Sequence, residues 1–163
     1  MKTTFGFMAL ALLAAQQAFA VQPTIQHSPW NEDFIYTDCG FDVRIQQTGT
    51  SIDISYTDTQ GVFHEFTAYP QLKSVMTNVL TGKSIKLNIS GPVTVVSNPD
   101  GSFEVVSLGV GAWAVDPDSL LSADTFIPGL FYTQGRVHVF VDVNGFATVT
   151  RTGTKTALCP KLQ

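Results

Sequence analysis

Charge is scarce in this sequence: Asp, Glu, Lys and Arg make up only 13% of the 163 residues, about half the usual share. Nine basic residues stand against thirteen acidic ones, for a net charge of −4. That balance supplies no basic stripe for a phosphate backbone, which excludes a broad nucleic-acid surface and disfavours binding driven by anionic membranes. Cysteine is nearly absent. Cys39 and Cys159 are too few for a thiolate metal cluster and too far apart for a Cys-x-x-Cys redox motif. No apolar run reaches the roughly 20 residues that a membrane-spanning helix needs. Missing too are a Gly-x-Ser-x-Gly elbow, a Ser-x-x-Lys acylation motif and a phosphate-cradling loop. Gly109-Val110-Gly111 lacks the third glycine and following helix of a dinucleotide fingerprint, and reads instead as close packing near Trp113.

What is present begins with a secretory signal. Lys2, an apolar run from Phe5 to Ala15 and the small residues of Ala18-Phe19-Ala20 before Val21 predict cleavage after residue 20; a buried N-terminal helix is the rival reading. Without Lys2, eight basic residues face thirteen acidic ones, about −5 for the exported chain. Export puts both cysteines in an oxidising compartment, where Cys39 and Cys159 have one intramolecular pairing open to them. The chain-entropy account gives about 4.7 kcal/mol for closing a 100-residue loop. Two free buried thiols or an intermolecular bridge are the alternatives.

Residues 21–38, with Pro23 and Pro29, read as an extended leader in which Trp30, Phe34 and Tyr36 pack as a satellite. From Phe41 the periodicity is two, not 3.6. Phe41, Val43 and Ile45 alternate with polar neighbours, as do Ile52, Ile54 and Tyr56, predicting two strands joined around Gly49. Weaker alternation follows over Val62–Tyr69 and Leu72–Leu80, broken at Pro70. Ile85, Leu87 and Ile89 then face one side. Asn98-Pro99-Asp100-Gly101 and Asn144-Gly145 predict hairpins, and Gly109 and Gly111 predict a bulge or sharply bent strand within Phe103–Val115. Asp116 to Leu121 is the one stretch after the signal that reads as a turn of helix. The expectation is an all-β, single-domain antiparallel β-barrel or β-sandwich of roughly nine or ten strands spanning 39–163, closed by a terminal disulfide, with at most one short helix.

Cys39-Gly40-Phe41, the run Thr77–Pro92, the turn Asn98–Ser102, the hairpin Gly135–Gly145 and the closing Leu158-Cys159 together resemble a group of small secreted all-β proteins of filamentous actinobacteria and fungi. The resemblance covers most of the exported chain. It implies export, one domain, an all-β fold and the terminal cysteine pair, and it carries no assigned activity and no site.

His64 shares its alternation with Val62, Phe66 and Ala68, and His138 lies opposite the valines of Val137–Val143, so one is expected inward and the other outward. With His27 in the leader, no metal site is expected. Glu65 and Glu104 read as solvated strand residues, and Asp116, Asp118 and Asp124 as a solvated turn without EF-hand spacing. Asn88-Ile89-Ser90 is an N-glycosylation acceptor with Asn88 on the solvent side. No cofactor and no catalytic residue is assigned. The reading is a secreted, non-catalytic binding module taking a small apolar ligand or an extracellular surface; the alternative is an extracellular hydrolase. A cavity lined by Phe103, Trp113 and Phe131 would favour binding, as would an amphipathic patch of Phe63, Tyr69, Tyr132 and Phe140. A polar cleft grouping His64 with carboxylates would favour catalysis.

Overall fold

The computed structural model describes residues 22–115 and 129–163. The signal segment at 1–20, the expected helical turn at 116–121 and Asp124 lie outside the described residues. Nine strands are formed: β1 (Thr24–Tyr36), β2 (Val43–Thr57), β3 (Phe63–Ala68), β4 (Lys73–Asn78), β5 (Ser84–Asn88), β6 (Pro92–Ser97), β7 (Phe103–Val115), β8 (Gly129–Val141) and β9 (Ala147–Ala157), with a terminal helical turn α1 (Cys159–Leu162). Every pairing is antiparallel. The order is β5-β4-β2-β3-β6-β7-β8-β9, with β1 on the free side of β2. The fold is all-β, and the sheet does not close into a barrel: no pairing joins its ends among the described residues.

The segment read as a leader is extended, and most of it is also a paired strand. β1 runs along β2 for thirteen residues, from Thr24 opposite Ser55 to Tyr36 opposite Val43. The other edge of β2 carries β4 over Val43–Thr48 and β3 over Ile52–Thr57. Pro70 falls in the gap between them, where no ladder bond is asked of it. The two strands expected around Gly49 are therefore one. Because β2 continues without a bulge while its apolar pattern shifts phase, Val43 and Ile45 face the core and Ile54 and Tyr56 face the opposite side.

Three hairpins turn by the same local device. Gly61 N–H donates to Asp58 O, Gly101 N–H to Asn98 O and Gly145 N–H to Asp142 O, and in each case the next residue closes the ladder. Hydrogen bonds to the side-chain carboxylates inside these turns hold all three below the usual range: Asp58 and Asp142 accept chiefly from the Val62 and Phe146 backbone N–H groups, and Asp100 first from the Ser102 hydroxyl and then from the Ser102 N–H.

The expected bend in β7 is real and is shared by its neighbours. Gly109, Gly135 and Gly153 lie side by side on β7, β8 and β9, with φ of +89°, +125° and +96°. A Cβ on Gly135 would stand 2.2 Å from Thr152 O, and one on Gly153 2.0 Å from Gln134 O. Backbone meets backbone along this row, so the ribbon creases. Beyond the crease, Leu130 joins Tyr36, Val43, Ile45, Met76, Leu158 and Leu162 in one core cluster. Val115, Phe131, Val137, Val139, Val141 and Val149 form a second. The Tyr36 hydroxyl donates to Val115 O at 2.7 Å and ties β1 to the end of β7.

Candidate functional site: an aromatic cleft on the inner face

Trp30 lies opposite Gly49 on the face of the sheet that also carries Val43 and Ile45. Across that face, register aligns Asp53, Thr67, Val93, Ser107 and Val137 in a single row. Between Trp30 and β7 the surface opens into a cleft of about 180 Å³, walled by Trp30, Tyr69 and Trp113 over the buried side chains of Leu72 and Ile89. Trp30 and Tyr69 meet edge to face, with centroids 5.2 Å apart. Trp30 Nε1–H donates to Gln47 Oε1 at 3.2 Å, and Trp113 Nε1–H to Thr133 Oγ1 at 2.8 Å. The tryptophans are thus fixed by bonds within the protein. Gly91 and Gly111 also line it. A Cβ at Gly111 would come within 2.7 Å of Trp113 Nε1, so the indole occupies the space that the missing side chain leaves.

Beside the cleft the inner face turns polar. Asp53 accepts hydrogen bonds from Ser51 Oγ at 2.9 Å and Thr67 Oγ1 at 2.8 Å, and Glu65 stands 3.4 Å from the same threonine hydroxyl. Partial burial pushes the Tyr69 phenol up from its usual value, and the charges of Asp53, Glu65 and Glu32 push it further. At Tyr69, one wall of the cleft, the nearby charges are thus carboxylates.

The histidines occupy the opposite face, and both on the same side. Register carries His64 across Val96 and Glu104 to Phe140, while Phe66 leads through Thr94 and Val106 to His138. The expected inward and outward split is corrected: β3 turns Thr67 to the interior and leaves Phe66 40% exposed, although its alternation looks more apolar on the Phe66 side. His27 is exposed on that outer face too, opposite Ile52. Three strand spacings, about 14 Å, separate His64 from His138. Each has its own carboxylate. His64 Nε2 lies 3.2 Å from Asp58 and its ring stacks on Tyr56; His138 Nε2 lies 2.6 Å from Glu104, with Thr150 Oγ1 3.4 Å from its other nitrogen. Glu65 and Glu104 face opposite sides of the sheet, so they form no acid and base pair across a cleft. Among the described residues no group of three or more His, Cys, Asp or Glu is placed to hold a metal ion.

Cys39 and Cys159 are disulfide-bonded, with Cα atoms 5.3 Å apart. Asn88 is exposed on β5, and its Oδ1 accepts from Ser90 N–H and, at 2.6 Å, from Ser90 Oγ. Phe131 belongs to the second core cluster and Phe103 packs against it, and of the three expected cavity residues only Trp113 lines the aromatic cleft. The expected patch is also dispersed: Phe140 is exposed on the outer face, Phe63 at the inner face's edge, Tyr69 lies in the cleft and Tyr132 packs on the first core cluster. The exposed apolar side chains that do share the outer face are Ile25, Ile35, Tyr56, Phe66, Leu108 and Phe140. The cleft is not legible in the sequence because Trp30 falls in a segment, residues 21–38, that reads as a leader. The even positions Ser28, Trp30, Phe34 and Tyr36 carried the available signal, interrupted by Glu32.

Compared with known protein families, with curated proteins and with solved structures, the chain matches none. No helix among the described residues is long and apolar enough to cross a membrane.

Proposed function

We propose that this is a secreted protein that works outside the cell by binding, through the cleft between Trp30, Tyr69 and Trp113, and not by catalysis. The observation that carries the reading is the cleft itself: three aromatic rings around a small open volume, with both indole N–H groups already engaged inside the protein. Export is supported by the Lys2 to Ala20 signal pattern, by the disulfide and by the resemblance to small secreted proteins. Recovery of the protein from culture medium with Val21 at its N-terminus tests that part. Asn88 is a glycan acceptor in a eukaryotic secretory pathway, and an endoglycosidase shift on a gel from a fungal host checks it.

A second reading, an extracellular hydrolase, has one observation in its favour. Glu104, His138 and Thr150 lie together on the outer face, with Thr150 Oγ1 within hydrogen-bond reach of His138 Nδ1 and Glu104 close to Nε2 without hydrogen-bond geometry. A panel of esters, glycosides and peptides separates the two. Saturable binding at the cleft without turnover supports the binding module; turnover abolished by His138→Ala supports the hydrolase.

A further inference from the structure

We propose that the cleft takes a compact organic cation, a quaternary or protonated amine, seated against the rings of Trp30, Tyr69 and Trp113; this rests on the reading of the cleft as the binding site. Three independent observations converge. The first is what the walls offer a ligand. Both indole N–H donors are spent on Gln47 and Thr133, so a guest meets ring carbon, and ring faces attract cations through their quadrupole. A sugar would need several convergent donors and acceptors, and the lining holds only Gln47, already bonded to Trp30, the Tyr69 phenol and Ser107 as polar side chains.

The second is charge. No Lys, Arg or His lines the cleft among the described residues. Glu32, Asp53 and Glu65 stand on the same face by register, since Glu32 lies opposite Gln47, Asp53 opposite Thr67 and Glu65 opposite Ser55. The side-chain partners of Asp53 and Glu65 are hydroxyls, and no cation pairs with them among the described residues. The negative field they create is felt at Tyr69, whose phenol resists ionising in part because of these three carboxylates. An anionic guest would meet the same repulsion, and a cationic one attraction.

The third is size. At about 180 Å³ the cleft is smaller than the roughly 300–1,000 Å³ typical of drug-sized ligands, which suits a head group or a small amine.

Nature has also built the reporter into the site. The chain has two tryptophans, and both line the cleft, so intrinsic tryptophan fluorescence reads this place alone. The experiment titrates the mature, disulfide-intact protein with choline, with its uncharged isostere 3,3-dimethylbutan-1-ol and with N-acetylglucosamine. Saturable change with choline, at least about tenfold weaker change with the isostere, and an affinity reduced about threefold or more in both Asp53→Asn and Glu32→Gln and by added salt are expected. Glu32 is exposed on β1, so its variant keeps the test sound should Asp53→Asn fold poorly. Equal or tighter binding of the isostere or the sugar overturns the cation and leaves the cleft as a binding site. No saturable change with any of the three overturns the cation proposal, and if a wider ligand panel is equally silent the cleft reading falls with it.

Discussion

Gly111 shows how much one methyl group decides at this site. Its missing side chain is the space that the Trp113 indole uses, with Thr133 Oγ1 only 3.1 Å from where a Cβ would stand. Gly111→Ala is expected to displace the indole and break its bond to Thr133, costing about 1–3 kcal/mol as an overpacking change. A shifted tryptophan emission maximum and a lower urea midpoint check it. Tyr69 gives a second prediction, with a definite sign. A neighbouring carboxylate disfavours the phenolate, so Asp53→Asn should lower the Tyr69 pKa back toward the phenol's ordinary value of about 10, as read by phenolate absorbance. The raised phenol also makes a linkage statement. Its contribution to stability is whole below the unfolded tyrosine's pKa and is lost as pH rises through the folded value. At this scale the sequence was readable where chemistry is local, as in Asn88-Ile89-Ser90 with Asn88 exposed. It was unreadable where a residue's role depends on a partner far along the chain: nothing near Trp30 says that Tyr69 will meet its edge.

The same division holds for elements. The hairpins signalled by Asn98-Pro99-Asp100-Gly101 and Asn144-Gly145 were legible because those residues specify a turn locally, and the structure turns at both, the second over Asp142–Gly145. β1 was not, because Pro29 and Glu32 blur its alternation and its existence as a strand is owed to β2. The face of β3 was misread since both of its faces mix apolar and polar residues, so only its partners β2 and β6 fix which side is inner. Two predictions belong here. Asp58, Asp100 and Asp142 have lowered pKa values because backbone or hydroxyl groups donate to the charged form. Their contribution to the hairpins is therefore present at neutral pH, above the unfolded carboxylate range, and is lost as pH falls below about 4. The protection of the Asn144 and Phe146 amides relative to their intrinsic exchange rates should fall in acid, and Asp142→Asn should flatten that dependence. The glycine crease is the other. Gly135→Ala puts a Cβ against Thr152 O in a backbone conformation that costs about 1–3 kcal/mol even without the clash, so the thermal midpoint should fall by several degrees at least.

On the scale of the whole molecule, the last strand and helical turn of the open sheet are tied back to the β1–β2 connection. The disulfide spans 120 residues, Leu158 and Leu162 are buried in the first core cluster, and the Asn78 side chain donates to Leu162 O at 3.0 Å. Reducing the Cys39–Cys159 bridge should cost about 2–5 kcal/mol and lower the thermal midpoint by several degrees. Free thiols in freshly purified, unreduced protein would contradict the pairing. Composition and period two were enough to anticipate an all-β domain of about nine strands. They were silent on closure, which depends on how a crease in β7, β8 and β9 turns the sheet. The central claim, that this molecule meets its ligand at the inner cleft, is tested most directly by a ¹H–¹⁵N correlation spectrum of the mature protein titrated with choline, its neutral isostere and N-acetylglucosamine. Two indole cross-peaks are present, one from each tryptophan, and both face that cleft. The account predicts that both move saturably together with the amides of Ser107 and Gly111 for at least one of these compounds. Unmoved indoles, with shifts confined to Phe66, Leu108, His138 and Phe140 on the outer face, would contradict it.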